Sequence, residues 1–581
     1  MSGRPAALLP LGRREGALRV LVLLFAAGLF AFRLGAGSLW DTDEPRYAQI
    51  GREIVATGDP MTPRLEGRPW FGRPPLWTWL LAASGRVFGF SEWSVRVCAA
   101  AFGLVGVGAA MALGREWFGP RTGVLSGLVL ATMLEYLVVS RLAVLDTAFV
   151  ALLLLALRAF YRAYRDRTPR DYVRSFLYTG LATLTGGPVG LLLPALVLVL
   201  FLAYRGTLAR WREVPWIWGG LVYLAIVAPW YAIGGLREGR AFWVAAVGDP
   251  GAVRLPQAIA ALPFVALYHA LVLVLGAVPW TAFLPGAVAY HYRRRWQDGS
   301  LLCLLWCAAT FAVAVGAGHS LPDEVFPVYP LAAVAIARLW EEFLFEGGMA
   351  LRRTLATSFL VQIGVVVFLI AAAVAFATVR YPQAWASVRG ALAPPLGMLV
   401  LGTAATAVLF RSRRYTAAFL ALPATMAAFV GILYTITGPA VEAQKPVRPL
   451  AALLRGAARA GDRIIGYRIG PLASLVYYAG HPVEWIADPA MLERRLCARG
   501  RVFLVTTADE LGALVTAPAA AGPPAAGLSQ GDAYRPPAAG ALRAGPGGSG
   551  PRLPLGLRTL GAAGTWVLTV KPAAVACGRP G

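Results

Sequence analysis

Long apolar runs dominate the first 440 residues, and short polar segments separate them. A helix needs roughly 20 mostly apolar residues to cross about 30 Å of hydrocarbon, so runs of this length predict membrane spans. Residues 176–204 count as two short spans, because Gly186, Gly187 and Pro188 would break a continuous helix. The pattern predicts an all-α polytopic membrane protein with about 13 transmembrane helices, near 17–36, 93–114, 121–140, 142–160, 176–204 (two), 214–234, 258–288, 301–318, 325–342, 354–378, 392–410 and 415–436.

Composition agrees with this pattern. The chain is 58% hydrophobic and 14% charged, whereas a soluble domain carries about 25% charged residues. Lys and Arg outnumber Asp and Glu by 54 to 30, but the basic residues gather between apolar runs, as in 158–174, 290–295 and 411–414. Basic clusters in short loops are typical of the cytoplasmic side of a membrane protein. The charge balance therefore does not indicate a nucleic-acid partner.

The same loops predict the orientation, because short basic loops remain in the cytoplasm. With the N-terminus inside, all the Arg-rich loops fall inside as well. The first apolar run, Leu18–Phe32, lacks a convincing cleavage site and is interpreted as a retained anchor. We therefore expect a bacterial inner-membrane protein whose periplasmic side receives the 37–92 loop, the 235–257 loop, the short 319–324 loop and everything after about residue 437.

The tail has a different pattern, with short β-rich runs between helical stretches. This predicts two domains, a transmembrane domain at 1–440 and a small periplasmic α/β domain at 441–581. An Ala-, Gly- and Pro-rich insertion at 517–551 is expected to lack stable order. Cys497 and Cys577 would lie on the oxidising side, where a bridge could form, although the sequence does not favour one.

The first outer loop begins with a cluster of carboxylates, Asp41, Asp43 and Glu44. From Pro45 to Thr57, apolar residues recur at three- and four-residue spacing, which predicts an amphipathic helix in the membrane interface. Carboxylates at its N-terminus could be simple helix caps. They could equally form a site that activates an acceptor, since a carboxylate can take a proton from an attacking hydroxyl.

The loop contains a long series of residues that match, in order, the first outer loop of a known family: Asp43, Glu44, Arg46, Tyr47, Gly58, Asp59, Pro63, Arg64, Leu65, Gly67, Phe71, Pro74, Pro75 and Leu76. By this first-loop motif the chain resembles polyprenyl-phosphate-sugar transferases of the GT-C fold, in particular the lipid A aminoarabinose transferase and protein O-mannosyltransferase relatives. The likeness extends to 140–146, 186–190, Pro229-Trp-Tyr, Pro279-Trp and 321–330, and so covers most of the first 340 residues.

The resemblance implies that Asp43 is the catalytic carboxylate and that Asp146 is the second acidic residue of the site. A helix cap is the alternative for Asp146. Beside Arg141 in an apolar stretch, however, an ionisable pair favours a functional interpretation, with Arg141 contacting substrate. Glu44, Arg46 and the adjoining Tyr47 belong to the same motif and are expected to line the substrate side of the loop.

Cations are expected to hold the phosphate of the lipid donor. Arg73 stands where the family usually has Lys, and either cation can bind a phosphate. Arg254, in the 235–257 loop, is a candidate second phosphate contact, or else a solvated loop charge.

The chain also departs from the family pattern. Gly186 and Ser320 stand where lysines are usual, and Gly72 and Glu324 replace an acidic residue and a Tyr. A metal ligand at the Gly72 position is therefore excluded. His269 and His319 are isolated in sequence, so no cofactor and no metal site is predicted, and dependence on a divalent metal stays open.

The resemblance implies an inverting glycosyltransferase. It would move a sugar from a polyprenyl (undecaprenyl) phosphate to a periplasmic acceptor, either a lipid A-like glycolipid or a protein, within the membrane lipid. A multi-span transporter or lipid flippase is the alternative, although the chain has no evident internal repeat and its notable carboxylates lie in outer loops. An inactive relative is a further alternative, because the family lysines are missing.

Overall fold

The structure is a computed structural model that describes residues 12–247, 255–317, 321–380, 382–459, 461–497, 500–516, 557–563 and 566–571. Two compact units share these residues. The first contains Ile50–Ala375 and Arg389–Thr437 together with the chain up to Ala36, and the second contains Gly37–Gln49, Phe376–Val388 and the chain from Gly438. The predicted insertion at 517–551 lies outside the described residues.

Helices make up nearly all of the first unit. Their ends follow local sequence signals: α4 begins with a capping box between Ser91 and Ser94, and α4 ends before Gly119, whose φ is 109°. The helices up to residue 432 are α1 Gly12–Ala31, α2 Asp43–Thr57, α3 Leu76–Phe88, α4 Glu92–Phe118, α5 Pro120–Ala131, α6 Leu134–Val139, α7 Asp146–Asp166, α8 Pro169–Gly186, α9 Val189–Tyr204, α10 Trp216–Glu238, α11 Arg240–Val247, α12 Leu255–Gly276, α13 Leu284–Arg293, α14 Asp298–Gly316, α15 Val328–Phe345, α16 Arg352–Arg380, α17 Pro382–Arg411 and α18 Tyr415–Ile432. A two-stranded ribbon, β1 Arg64–Leu65 and β2 Arg68–Pro69, lies between α2 and α3.

Seven helical segments in the described residues are long and apolar enough to cross a membrane, and the number is eight if the bent pair 261–276 and 281–293 forms one span. The protein is therefore a multi-span membrane protein. The predicted number of thirteen is not confirmed. Several of the remaining predicted spans coincide with shorter helices, such as α5 with 12 residues and α9 with 16 residues.

The second unit contains a five-stranded sheet. Its strands are β3 Arg463–Tyr467, β4 Glu484–Ile486, β5 Val502–Thr507, β6 Arg558–Ala563 and β7 Trp566–Lys571, in the order β4-β3-β5-β7-β6. The β3 strand pairs in parallel with β4 and β5, whereas β7 pairs antiparallel with β5 and β6. Five helices accompany it: α19 Gly438–Glu442, α20 Val447–Ala457, α21 Ala473–Ala479, α22 Pro489–Leu496 and α23 Ala508–Thr516.

Parallel strands need crossover connections, which α21 and α22 supply, and a sheet with helices must bury an apolar face. Leu450 of α20, Leu475 of α21 and Phe503 of β5 form part of that buried core. Cys497 is disulfide-bonded, contrary to the expectation that no bridge is favoured. Cys577, the partner considered from the sequence, lies outside the described residues.

Candidate functional site

The first unit contains a cavity of about 130 Å³ at the N-terminus of α7, and its wall combines charged side chains with a larger apolar part. Asp146 is the first residue of that helix and lines the cavity together with Arg73 from the 37–92 segment. On the other side, the cavity wall comes from α14 and from the short 3-10 turn Pro322–Val325. The structure therefore brings together two of the residues that the sequence singled out, 73 positions apart in the chain.

Arg73 forms an ion pair with Asp323 in this cavity, with 3.7 Å between Nη2 and Oδ2. The two side chains are 40% and 35% exposed, so water screens the pair and its net contribution is small. A weak, half-exposed pair can exchange its carboxylate for another anion at little cost. A phosphate that enters the cavity would meet the Arg73 guanidinium group in its wall.

Glu324 lines the same cavity and bonds to His269 of α12, with 3.0 Å between Oε2 and Nε2. The His269 Nδ1 lies 2.9 Å from the carbonyl oxygen of Val265, which can only accept, so Nδ1 carries a proton. The sequence interpretation of His269 as an isolated packing residue missed this pair, because its partner is 55 positions away.

Thr310 of α14 adds an unused polar group to the cavity wall. The residue is 2% exposed, and its hydroxyl has no hydrogen-bond partner among the described residues. A buried hydroxyl without a partner costs free energy, which a ligand with a polar group could recover. No sequence signal singled out Thr310, because a single Thr in an apolar helix normally bonds to its own backbone.

Arg141 is buried, and its guanidinium group donates to the carbonyl oxygens of Leu29, of Phe30 at 3.1 Å and of Phe32 at 2.5 Å. It also lies 3.9 Å from the ring centroid of Tyr434. The last carbonyl groups of α1 have no partner within the helix, and a cation satisfies them. Arg141 is not among the residues that line the cavity, and its substrate contact stays a prediction.

In the second unit, the outer-loop motif forms the start of α2. Asp43 is the first residue of the helix and is 52% exposed, and it accepts a hydrogen bond of 3.0 Å from Arg46. Glu44 is buried and accepts from the Trp40 backbone N–H at 2.9 Å. Tyr47 is also buried. Of the two carboxylates, that of Asp43 is therefore the more accessible.

Asp41 has a partner that the sequence could not reveal. Its carboxylate accepts hydrogen bonds from the Ser474 backbone N–H, at 2.8 Å, and from the Ser474 hydroxyl. Nearby, the Leu39 N–H donates to the Tyr478 hydroxyl at 2.8 Å, and the Lys445 ammonium lies 3.6 Å from the Trp40 ring centroid. Partial burial raises the pKa of Asp41, although the bonds from Ser474 oppose that effect.

Not all of the candidate residues fall within the described part of the chain. Arg254, His319 and Ser320 lie outside the described residues. Asp43, Glu44 and Arg46 belong to the second unit, whereas Asp146 and Arg73 belong to the first. Among the described residues, no group of three or more His, Cys, Asp and Glu side chains could hold a metal ion.

Comparison with known proteins gives related sequences and a related fold. Residues 72–233 match the family model described as dolichyl-phosphate-mannose-protein mannosyltransferase. An undecaprenyl phosphate-alpha-4-amino-4-deoxy-L-arabinose arabinosyl transferase of Aeromonas salmonicida is 30% identical over 57% of this chain and 60% of that protein. The protein of the same name from Edwardsiella ictaluri is 28% identical over 65% of this chain and 69% of its own length.

Two solved structures of ArnT from Cupriavidus metallidurans, one in the apo state and one bound to undecaprenyl phosphate, superpose with a TM-score of 0.71. Each superposition covers 98% of this chain and 100% of that chain at 20% identity. The matches span about 60% of the length of the first curated relatives. The chain therefore has the fold of ArnT, and the resemblance to the GT-C polyprenyl-phosphate-sugar transferases is confirmed.

Proposed function

We propose that the protein is an inverting glycosyltransferase that takes a sugar from a polyprenyl phosphate, of the undecaprenyl type, and transfers it to an acceptor at the periplasmic face. The observation that carries this proposal is the cavity that combines Asp146, Arg73 and the unsatisfied hydroxyl of Thr310. One relative of the same fold binds undecaprenyl phosphate, and the curated relatives carry the name of an undecaprenyl-phosphate-sugar transferase.

Arg73 would bind the donor phosphate in place of Asp323. A guanidinium group can donate two parallel hydrogen bonds to a phosphate, which also orients it. When the bond between the sugar anomeric carbon and the phosphate oxygen breaks, the electron pair stays on that oxygen, and Arg73 stabilises the charge that develops. Thr310, with Asp146, is suited to hold hydroxyl groups of the sugar.

Asp43 would act on the acceptor. Its exposed carboxylate could take the proton of an attacking hydroxyl as general base. If the acceptor is already an ionised phosphate, Asp43 would only orient it. Arg46, bonded to Asp43 at 3.0 Å, fixes the direction of the carboxylate at the start of α2.

We also propose that the protein has the topology predicted from its sequence. It would cross the inner membrane thirteen times with a cytoplasmic N-terminus. A transmembrane domain at 1–440 would be followed by a periplasmic α/β domain at 441–581. This topology is supported by shorter helices that coincide with predicted spans, namely α1, α5, α8, α9 and α15. The five-stranded sheet with its crossover helices supports the α/β class of the tail. The acceptor would be a lipid A-like glycolipid or a protein.

The test is transfer of a sugar from undecaprenyl-phosphate-linked aminoarabinose to lipid A by the purified protein in lipid nanodiscs. Mass spectrometry of the extracted lipids should show the acceptor heavier by one sugar unit. Arg73→Gln should lower the rate by roughly 100-fold, since it removes a group that stabilises the transition state. Arg68→Gln removes an exposed cation of the same loop and is the matched control. Equal activity of wild type and Arg73→Gln would refute the role of the cavity.

A transporter or flippase gives a different result in the same preparation. It would leave the mass of every lipid unchanged in the presence of a range of lipid-linked sugars and acceptors. In sealed vesicles it would instead move the lipid-linked sugar between leaflets, which an impermeant amine reagent detects.

A further inference from the structure

A second cavity lies at the hairpin between α7 and α8, away from the site described above. Its volume is about 260 Å³. Three arginines, Arg158, Arg162 and Arg174, line it, together with the carboxylate of Asp171 and the ring of Tyr178. Leu155 and Ala159 form an apolar part of the wall. The cavity thus combines a cationic rim with an apolar side.

The charges in the cavity wall do not cancel. Arg174 bonds to Asp171 at 2.7 Å, and Arg162 reaches the same carboxylate only at 3.9 Å, beyond a hydrogen bond. Arg158 is neutralised from outside the cavity by Glu116, at 2.6 Å. The single carboxylate of Asp171 therefore faces the two guanidinium groups of Arg162 and Arg174, and the cavity wall has a net positive charge.

Two donors in this wall remain unused. Within the described residues, Arg162 makes no hydrogen bond, and neither does the Tyr178 hydroxyl. Arg162 lies on α7 and Tyr178 on α8, so the two donors reach the cavity from opposite helices. A phosphate has several acceptor oxygens and can use both donors at once.

The position of the cavity indicates an amphiphilic ligand. It lies close to the end of α7 at Asp166, where the helix leaves the apolar region. Trp211 and Trp216, which are 48% and 40% exposed, lie near Phe160 and Tyr172 of the same hairpin, with ring centroids 4.2 Å apart and planes tilted by 35°. Exposed Trp side chains are typical of a membrane interface. Basic pockets between helices at the cytoplasmic interface bind the headgroups of anionic lipids.

We propose that the α7–α8 cavity binds an anionic phospholipid, with the phosphate on Arg162 and Tyr178 and an acyl chain along Leu155 and Ala159. Bound lipid would stabilise the packing of α7 against α8. Asp146 begins the same helix, 20 positions before Asp166, so the lipid site and the cavity at Asp146 share one rigid element. The proposal does not depend on sugar transfer.

The experiment titrates the detergent-purified full-length protein with palmitoyl-oleoyl-phosphatidylglycerol and counts bound lipids by native mass spectrometry. Arg162→Gln combined with Tyr178→Phe should weaken the tightest site by about tenfold, because it removes both unused donors and leaves the Arg174–Asp171 pair intact. Arg170→Gln removes the same net charge from an exposed position of α8 outside the cavity, and should leave the affinity unchanged.

Three results would overturn the proposal. Equal weakening by the cavity variant and by Arg170→Gln would mean diffuse attraction to a basic surface. Equal affinity for phosphatidylcholine would mean that anionic charge is not recognised. Full displacement of the lipid by millimolar inorganic phosphate would mean a site for free anions. The melting temperature of each variant is measured in parallel, and Tyr178→Phe alone, which keeps the ring and all charges, gives the same test if the double variant is unstable.

Discussion

Removing the hydroxyl of Ser474 should loosen the loop that carries Asp43. Ser474 donates two hydrogen bonds to Asp41, one from its backbone N–H at 2.8 Å and one from its hydroxyl. Asp41 stands two positions before Asp43 at the entrance to α2. The variant Ser474→Ala removes the hydroxyl bond alone and keeps the backbone bond.

The size of the effect follows from the kind of bond. A hydrogen bond to a charged group contributes about 1.5–3 kcal/mol net. The two bonds between Asp41 and Ser474 are only partly buried, so we take the lower end of this range. Because 1.4 kcal/mol corresponds to a factor of ten, opening of the 38–41 segment should become roughly tenfold more frequent.

Hydrogen exchange measures this directly. The amide of Leu39, which donates to Tyr478, should exchange roughly tenfold faster in Ser474→Ala. Ser474→Thr restores a hydroxyl and should restore protection. In the transfer assay, kcat should fall while the KM for the lipid donor stays constant, because the donor site is assigned to the cavity around Arg73 and Asp146.

The control is Thr507→Ala, which removes a hydroxyl that accepts from the Glu510 N–H in the same unit, far along the chain from Ser474. It should leave the exchange of Leu39 unchanged. Unchanged exchange in Ser474→Ala would refute the anchoring role of this bond, whatever the reaction catalysed. Faster exchange of Leu39 together with a normal kcat would support the anchoring role of the bond but refute its effect on the catalytic role of Asp43.

Further predictions concern the carboxylates and the topology. Asp43→Asn should lower turnover by roughly 100-fold or more at normal membrane abundance, as measured by mass spectrometry of the product. Asp41→Asn should be milder, because the Asn Oδ1 still accepts from the Ser474 backbone N–H and its NH2 group can donate to the Ser474 hydroxyl oxygen. Since the folded-state pKa of Asp41 is raised above its ordinary value of 3.8, its contribution to stability is complete below 3.8 and is lost as the pH rises through the folded-state pKa. Hydrogen exchange of the second unit, measured from pH 3.8 upward, should show this loss of stability. In outer-membrane-permeabilised cells, an impermeant maleimide should label Arg68→Cys and Glu493→Cys but not Ser412→Cys, and labelling of only one of the first two would contradict the thirteen-span topology.

Much of the helical architecture could be predicted from local sequence. The apolar run near 142–160 predicted a helix with Asp146 near its start, and the observed α7 runs from Asp146 to Asp166. The spacing of apolar residues likewise predicted an amphipathic helix from Pro45 to Thr57, which is observed as α2 from Asp43 to Thr57. Apolar spacing and helix caps act over one or two turns, so the sequence nearby is sufficient to reveal them.

The number of spans was harder to predict, because a membrane helix is defined by length, composition and packing together. The short helices α5 and α9 have 12 and 16 residues, below the roughly 20 that an isolated span needs. Such helices can cross only if neighbouring helices cover their ends, which hydropathy along one segment does not report.

Arg141 illustrates how one residue type can serve two purposes. In sequence, an arginine in an apolar run indicates function, because a buried charge needs a partner. In the structure its partners are backbone carbonyl groups at the end of α1, 109 or more positions earlier. The sequence therefore determined that Arg141 must have a partner, and the tertiary structure determined which groups are its partners.

The same distinction applies to the polar contacts of the two units. By itself, the sequence determined the membrane class, most helix positions and the family resemblance, since these depend on hydropathy, periodicity and motif order. Only the tertiary structure joined Asp41 to Ser474 across 433 positions, His269 to Glu324 across 55, and Arg73 to Asp323. Hydrogen bonds and ion pairs require atoms within about 3–4 Å, and a chain can bring any two distant segments to that separation, so their choice is made by packing of the whole fold.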